Sequence, residues 1–491
     1  MKLLRRWLST CSSATSIAVT ETSPAGDDVF SGSCLHSDYS LQTLPSIPSL
    51  QNLSAIETSL DISVNRLSLS SLKLILPFPI GALAVNNNLL YAAAGHLINV
   101  YNLDNYNFTL IDTFNHNNPN SGSIKSIVFQ TSKIFTAHQD GKIRVWKMVK
   151  EKKHNLLATL PTLQDRLLRS ILPRNYVTIR RHKKKLWIEH HDAVSSLAQV
   201  EGGDDNIGNL IISTSWDKSF KIWNLSSSDG QYRCLQSIID AHDDALNAVA
   251  VSPDGTFFTA SADCRIRVWG RIPGDRNRKY SLLATLEKHK SAVNCLALND
   301  DGSILFSGAC DRSILVWERE DSANYMAVKG ALRGHSRAIL CLINISDLLI
   351  SGSADRTVRI WRRGYDDGRY SCLIVLDGHM KPVRSVAATV VNGGGSGGAA
   401  VRVFSGSFDG EIKAHQISML RPTVCKSGLG FDGNDSDKSC ENLNPESDKF
   451  KSINFVTGSL TENRTNPSCK TGKQLERAKR HLDSRLLGHS I

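Results

Sequence analysis

The stretch ALRGHSRAILCLINISDLLISGSADRTVRIW, residues 331–361, decides how this chain is read. It holds short apolar runs of strand character at residues 339–343, 348–350 and 358–361, separated by turn residues. A meander of that size buries too little surface to stand alone. Its meaning therefore depends on recurrence.

Alignment on the turn aspartate shows the recurrence. Asp140, Asp217, Asp263, Asp311, Asp355 and Asp409 are each followed six residues later by a ring: Trp146, Trp223, Trp269, Trp317, Trp361 and His415. Four residues before each aspartate stands a hydroxyl: Thr136, Ser213, Thr259, Ser307, Ser351 and Ser405. Upstream comes a histidine with Val, Leu or Ile four positions on, at His190, His242, His289, His335 and His379. The second unit, residues 124–148, has Asn120 in the histidine's place. The first, near residues 80–103, has neither the turn aspartate nor the tryptophan and is assigned by strand rhythm alone.

The spacing has a physical reason. Histidine in an entering loop, a hydroxyl on the second strand, aspartate in the turn and tryptophan on the third strand can form one hydrogen-bonded chain that satisfies all its members. Leaving one partner unpaired would cost about 1–3 kcal/mol. This register resembles the WD40 repeat family, in which the tetrad is structural, across residues 71–420. The Trp-Asp pair that names the family is missing, since Lys147, Asn224, Gly270, Glu318 and Arg362 follow the tryptophans. The resemblance implies an all-β, seven-bladed propeller, because that span less an insertion of about 35 residues leaves seven units of about 45.

A propeller needs its ring closed, and the chain's beginning can supply the outer strand of the last blade. Residues 72–76 are expected to pair beside residues 411–417. Residues 1–70, rich in Ser and Thr without periodicity, and the polar, basic residues 421–491 are expected to be disordered tails, with a short basic helix conceivable at 473–487. Residues 1–20, with Lys2, Arg5 and Arg6 and no acid before Glu21, resemble an organelle transit segment, although an ordinary tail reads the same way. Cytosol and nucleus are otherwise the expected location.

Eleven cysteines lie scattered, with no CxxC pair, as expected of reduced thiols. No apolar run reaches the ~18 residues of a membrane helix, so a monomeric propeller with protein partners, and no membrane, is expected. The formal net charge is +11, and residues 147–185 carry twelve Lys or Arg against Glu151 and Asp165.

That basic insertion, at about 147–186, is the most individual feature of the chain. Leu163, Leu167, Leu168 and Ile171 recur at helical spacing and Pro173 ends the run, which predicts a short amphipathic helix docked on the propeller's side. Arg180, Arg181, Lys183, Lys184 and Lys185 follow as a compact cationic cluster. Four readings compete for it: a strand edge blunted by charge, a nuclear import signal, a nucleic-acid contact and a site for an acidic protein. Nucleic acid is the less expected, because Tyr176 and Trp187 are the only rings available for stacking. The segments LPTLQDRLLRSILPRNYV and RRHKKKLWIEHHDAV, with the well-formed units after them, resemble the plant WD40 proteins called jingubang-like. That resemblance implies a plant regulatory adaptor engaging developmental or transcriptional regulators.

His, Ser and Asp recurring together raise the question of catalysis. An active site is one perturbed place, whereas a constellation repeated at blade period is scaffold. No P-loop, GxSxG, HExxH or Cys/His metal spacing is present, so no enzyme activity, cofactor or metal is expected. Binding is the better class. Trp216 and Phe408 are large rings beside turn aspartates, and Lys218, Arg265, Arg312, Arg337 and Arg356 would give that face a positive rim suited to an acidic partner segment. A ubiquitin-ligase substrate receptor is the alternative use, although Trp361-Arg362-Arg363 and Trp146-Lys147 are only distant approaches to an Asp-Trp-Arg docking motif.

Overall fold

The computed structural model describes residues 62–67 and 76–419, apart from 104–107, 131, 150–152, 181, 201–209, 226–231, 272–278, 321–324, 365–367 and 392–399. Seven four-stranded antiparallel sheets form a ring of blades. Blade 1 comprises β2 (Ile80–Asn86), β3 (Leu89–Ala94), β4 (Leu97–Asn102) and β5 (Thr109–Phe114). Blade 2 comprises β6 (Ile124–Gln130), β7 (Lys133–His138), β8 (Ile143–Met148) and β9 (His154–Leu160). Blade 3 runs from β12 (Val194–Val200) and β13 (Leu210–Ser215) through β14 (Phe220–Leu225) to the outer strand β15 (Tyr232–Ile238). Blade 4 spans β16 (Leu246–Val251) to β19 (Tyr280–Leu286), blade 5 β20 (Val293–Leu298) to β23 (Met326–Leu332), and blade 6 β24 (Ile339–Ile345) to β27 (Tyr370–Leu376). Blade 7 is built from β28 (Val383–Val391), β29 (Ala400–Ser407) and β30 (Ile412–Met419), with β1 (Ile62–Leu67) as its fourth strand.

The apolar cores lie between blades. Phe258 and Val268 of blade 4 pack with Val293, Leu305 and Trp317 of blade 5 in one buried cluster. At the seam of the ring, Ala387 and Phe404 of blade 7 pack with Ile80, Leu83 and Tyr101 of blade 1. In blades 1 to 6 the ladder between third and outer strands shifts beside one ring residue, as at Ile222/Trp223 and Ile360/Trp361. Such a bulge re-aims a side chain. In blade 1 the position belongs to Tyr101.

Closure differs from the sequence reading. The strand beside β30 is β1, with Ile62 opposite Met419 and Leu67 opposite Ala414. It lies within the segment expected to be disordered, upstream of residues 72–76, of which 72–75 fall outside the described residues. Chain length explains the difference. The chain passes from Leu286 to Val293, from Leu332 to Ile339 and from Leu376 to Val383 when it crosses from an outer strand to the next inner one, six intervening residues each time. An outer strand ending at residue 76 would leave three before Ile80, too few at about 3.5 Å each to cross a blade whose strands lie about 4.8 Å apart. Leu76 instead runs beneath the blade 7 turn, where a Cβ on Gly410, at φ +86°, would lie 2.4 Å from its carbonyl oxygen.

The insertion folds as α1 (Leu163–Ser170) and a hairpin of β10 (Tyr176–Arg180) with β11 (Lys183–Leu186). Thr162 caps α1, its Oγ1 accepting from the Asp165 backbone N–H at 3.2 Å. The helix docks on the propeller with the opposite face from the one the leucines suggest. Asp165 is buried, Arg169 donates to its carboxylate at 2.8 Å, and Arg169 also donates to the carbonyl of Cys234 on β15 at 3.3 Å. The Cys234 N–H points at Asp165 Oδ2, 3.5 Å away. The pair thus satisfies polar groups on the open edge of an outer strand, which apolar side chains could not do. Leu163, Leu167, Leu168 and Ile171 are left facing solvent.

Candidate functional site

Four tetrads share one geometry. In blade 3, His190 Nδ1 lies 3.0 Å from Asp217, its Nε2 2.9 Å from Ser213 Oγ, and Trp223 Nε1 donates to the same Oγ at 2.9 Å. His242, Thr259, Asp263 and Trp269 repeat this at 2.8 Å throughout. His289, Ser307, Asp311 and Trp317 do so at 2.7–2.9 Å, as do His335, Ser351, Asp355 and Trp361. The indole can only donate, so the hydroxyl oxygen accepts from it and sends its own proton to Nε2. The Nδ1–H is then left to face the aspartate. All four hydroxyl residues are wholly buried.

The aspartates are held ionised. Burial alone would raise Asp263 and Asp311, yet hydrogen bonds from His242 and His289, with those rings' charge and turn N–H groups, outweigh it and hold both at about 2. The Asp217 and Asp355 carboxyls are pulled below the usual range by the same balance, against the same burial.

The remaining corners are improvised. In blade 7, His379 Nε2 meets Ser405 at 2.8 Å, but its buried Nδ1 stands 3.9 Å from Asp409 and 3.8 Å from Glu411. Burial pulls this ring down to about 4. In blade 2 the histidine comes from inside the second strand: His138 Nε2 lies 2.8 Å from Thr136, to which Trp146 donates at 2.9 Å, and Asp140 turns instead to Arg144 at 2.8 Å. Burial drives the His138 ring well below its ordinary value. In blade 1, Tyr91 and Gly95 stand where a hydroxyl and aspartate would precede Tyr101. The Tyr91 hydroxyl lies 3.3 Å from Nε2 of His154 on β9, whose Nδ1 is 2.8 Å from Asp112. Sequence reasoning missed this clamp because His154 comes from the next blade.

The turns carrying the aspartates and the loops carrying the histidines share one face. Trp216 and Phe408 lie there half-buried, with their backbone N–H groups donating to Ala193 and Pro382 carbonyls at 3.1 Å. Two of the rim cations are already engaged. Lys218 donates to the Asp243 carbonyl at 2.6 Å, and Arg265 is ion-paired with Asp243 at 2.5 Å and Glu287 at 2.7 Å. Arg312, Arg337 and Arg356 are exposed, and no ion pair engages their side chains among the described residues. Lys218, Arg312 and Arg356 occupy the left-handed turn position at φ 66°, 69° and 73°. Arg337 and Arg356 line a cavity of about 460 Å³ with Ser336, Met380 and Lys381, between blades 6 and 7.

A second concavity, about 160 Å³, occupies the central channel. Lys125 and Arg384 face it with Asn247, Asn294, Cys295 and Cys341, and no carboxylate lines it. Burial, then the Arg384 charge, draws the Lys125 ammonium down to about 8. Its Nζ sits 5.2 Å from the centre of the Trp216 ring. Of the basic cluster, Lys183 and Lys184 are exposed on the hairpin and Lys185 donates to the His190 carbonyl at 3.2 Å. Arg181 and the Arg180 side chain lie outside the described residues, as do residues 421–491. All six described cysteines are free thiols.

A closed ring of seven blades with polar-clamped corners and a loop face of mixed rings and cations defines a β-propeller binding module. The family model described as WD domain, G-beta repeat matches residues 182–224, 232–270, 280–318 and 327–362. Four of its blades are thus WD40 repeats, which supports a propeller of the WD40 kind. It is 28% identical over 244 residues to Protein ROOT INITIATION DEFECTIVE 3 of Arabidopsis thaliana, covering 49% of this chain and 48% of that protein. It is 29% identical over 124 residues to Probable cytosolic iron-sulfur protein assembly protein 1 of Kluyveromyces lactis, covering 24% and 36%. To Ribosome biogenesis protein WDR12 homolog of Chlamydomonas reinhardtii it is 26% identical over 191 residues, covering 32% and 42%. The chain thus spans less than half the length of each. What these relatives share supports a protein-interaction scaffold in general terms.

Proposed function

We propose that this protein is a non-enzymatic regulatory adaptor that holds an acidic segment of a partner protein across the face bearing the turn aspartates. One observation carries the reading. Arg337, Arg356 and Lys381 converge on one cavity whose single carboxylate, Asp355, is committed to His335 and to the N–H groups of Ser336 and Thr357. Guanidinium groups presented without a protein counter-ion suit bidentate recognition of carboxylates. Lys125 and Arg384 extend the positive potential into the channel, and Trp216 and Phe408 supply apolar anchors. The jingubang-like resemblance and the similarity to a plant protein named for root initiation support a developmental or transcription-linked role, and cytosol and nucleus are proposed with it as the location.

Proximity labelling in plant cells with wild type, Arg337→Ala/Arg356→Ala and Trp216→Ala tests this. Partners enriched by wild type should fall roughly tenfold with the arginine pair. An unchanged partner set in both variants would remove this face from the function.

A further inference from the structure

The insertion presents its apolar side outward, and that inversion has a consequence for what the protein touches. Among the described residues eighteen large apolar side chains are exposed, and ten of them lie between Met148 and Tyr176. Leu235 and Ile239 add two more, on and just after the outer strand that α1 covers. Twelve of those eighteen side chains thus belong to residues 148–176 and the neighbouring outer strand of blade 3, where scattered singles would be ordinary. Within it Leu163 is 69% exposed, Leu167 and Leu168 59% and Ile171 76%, with Leu172 following at 42%.

The orientation is fixed by the protein. Asp165 and Arg169 tie the inner face of α1 to Cys234, the Arg169 guanidinium lies 4.5 Å from the centre of the Trp187 ring, and Arg166 pairs with Glu189 at 2.8 Å. Asn175 donates to the Arg169 carbonyl at 2.8 Å and Tyr176 to the Ser170 carbonyl at 3.2 Å, holding the hairpin against the helix. Charge beside the ridge is mostly cationic, with Arg166 and Arg169 neutralised by Glu189 and Asp165. Residues 161–188 contain eight Lys or Arg and one acid, the buried Asp165, and Arg174, Lys183 and Lys184 are exposed.

We infer that this ridge and its flanking cations form a docking surface for an anionic lipid bilayer, laying the rim of blades 2 and 3 against the membrane surface. Aliphatic side chains projecting from a convex helix, with Lys and Arg at their margin, are the arrangement that enters the headgroup boundary. A protein partner would more often be met by Trp, Tyr or Arg anchors, and leucine is under-represented among interface hot spots. A second copy of the chain would bring this cationic margin against itself across a two-fold axis. The surface lies apart from the turn face and departs from the expectation that no membrane is involved. It acts as an attachment point, and no helix among the described residues is long and apolar enough to cross the bilayer.

Flotation of the full-length chain with phosphatidylcholine vesicles, with and without phosphatidylserine, tests the assignment. Wild type should float with the phosphatidylserine vesicles and lose binding as salt rises. Leu167→Asp/Ile171→Asp and Lys183→Glu/Lys184→Glu should each weaken that binding by roughly tenfold. All four residues are exposed, so unchanged melting curves should accompany the loss. Failure of wild type to float, or flotation indifferent to the apolar pair, would overturn the assignment. So would a wild-type dimer abolished by Leu167→Asp/Ile171→Asp without vesicle binding, which would give the ridge to a second copy. Protein partners lost in that variant while wild type ignores both vesicles would give it to a protein groove.

Discussion

The corners of blades 3 to 6 and those of blades 7, 1 and 2 solve the same problem in different ways. In the first group one tetrad recurs with each ring nitrogen within 3.0 Å of its partner. In the second, blade 7 leaves His379 Nδ1 at 3.9 Å, blade 2 takes its histidine from the second strand, and blade 1 borrows His154 from its neighbour. The departures cluster around the ring seam and the insertion. Where β1 closes the ring, other contacts hold blade 7 and its tetrad is relaxed, whereas blade 3 keeps a complete tetrad under α1. Repetition in a propeller is thus a default that long-range contacts can replace.

The comparison breaks most readily at the seam. Removing residues 1–67 should uncover the β30 edge and lower the melting temperature by roughly 10 °C or more, whereas removing residues 1–61 should leave it near wild type. Equal melting of the two truncations would contradict closure by β1.

A smaller effect separates the two kinds of corner. Asp355→Ala takes the acceptor from His335 Nδ1 and the Ser336 and Thr357 N–H groups and should cost about 3 kcal/mol in urea unfolding. Asp409→Ala removes turn N–H acceptors for Met380 and Glu411 and a 3.9 Å approach to His379 Nδ1, and should cost about 1 kcal/mol. Equal costs would erase the distinction.

Titration offers a third way in. Burial holds His379 at about 4 in the folded protein against an ordinary 6.5, so the unfolded chain takes up the proton first. Its contribution is complete above about pH 6.5 and is lost as pH falls towards 4, by about 3 kcal/mol. His138 and His190, also lowered by burial, add to the same limb. Asp263 and Asp311, held near 2, contribute stability above about pH 4 that is lost as pH falls towards 2. Urea midpoints measured against pH should show both limbs, and His379→Gln should make the upper one shallower without moving the lower. The smallest expected effect is Tyr91→Phe, which gives up a 3.3 Å contact to His154 and should cost less than about 1 kcal/mol.

Much of this was legible in the chain. The Asp-to-ring interval of six and the hydroxyl four residues before it place the blades, because these residue types at that spacing can satisfy one another locally. The positions of Trp216, Arg337 and Arg356 follow from the same alignment. Whether a rim cation is engaged did not, since the partners of Arg265, Asp243 and Glu287, come from neighbouring loops. His138 and His154 escaped because they sit outside the aligned column.

By itself the sequence determined the repeat, the number of blades, the polar clamps of blades 3 to 6 and the existence of a helix at Leu163–Ser170, all of which rest on interactions within a few tens of residues. Only the tertiary structure decided which strand closes the ring and which way that helix faces. Closure depends on a span that must cross a whole blade. The helix's orientation depends on the unpaired edge of β15 at Cys234, which draws Asp165 and Arg169 inward and leaves Leu167 and Ile171 outside.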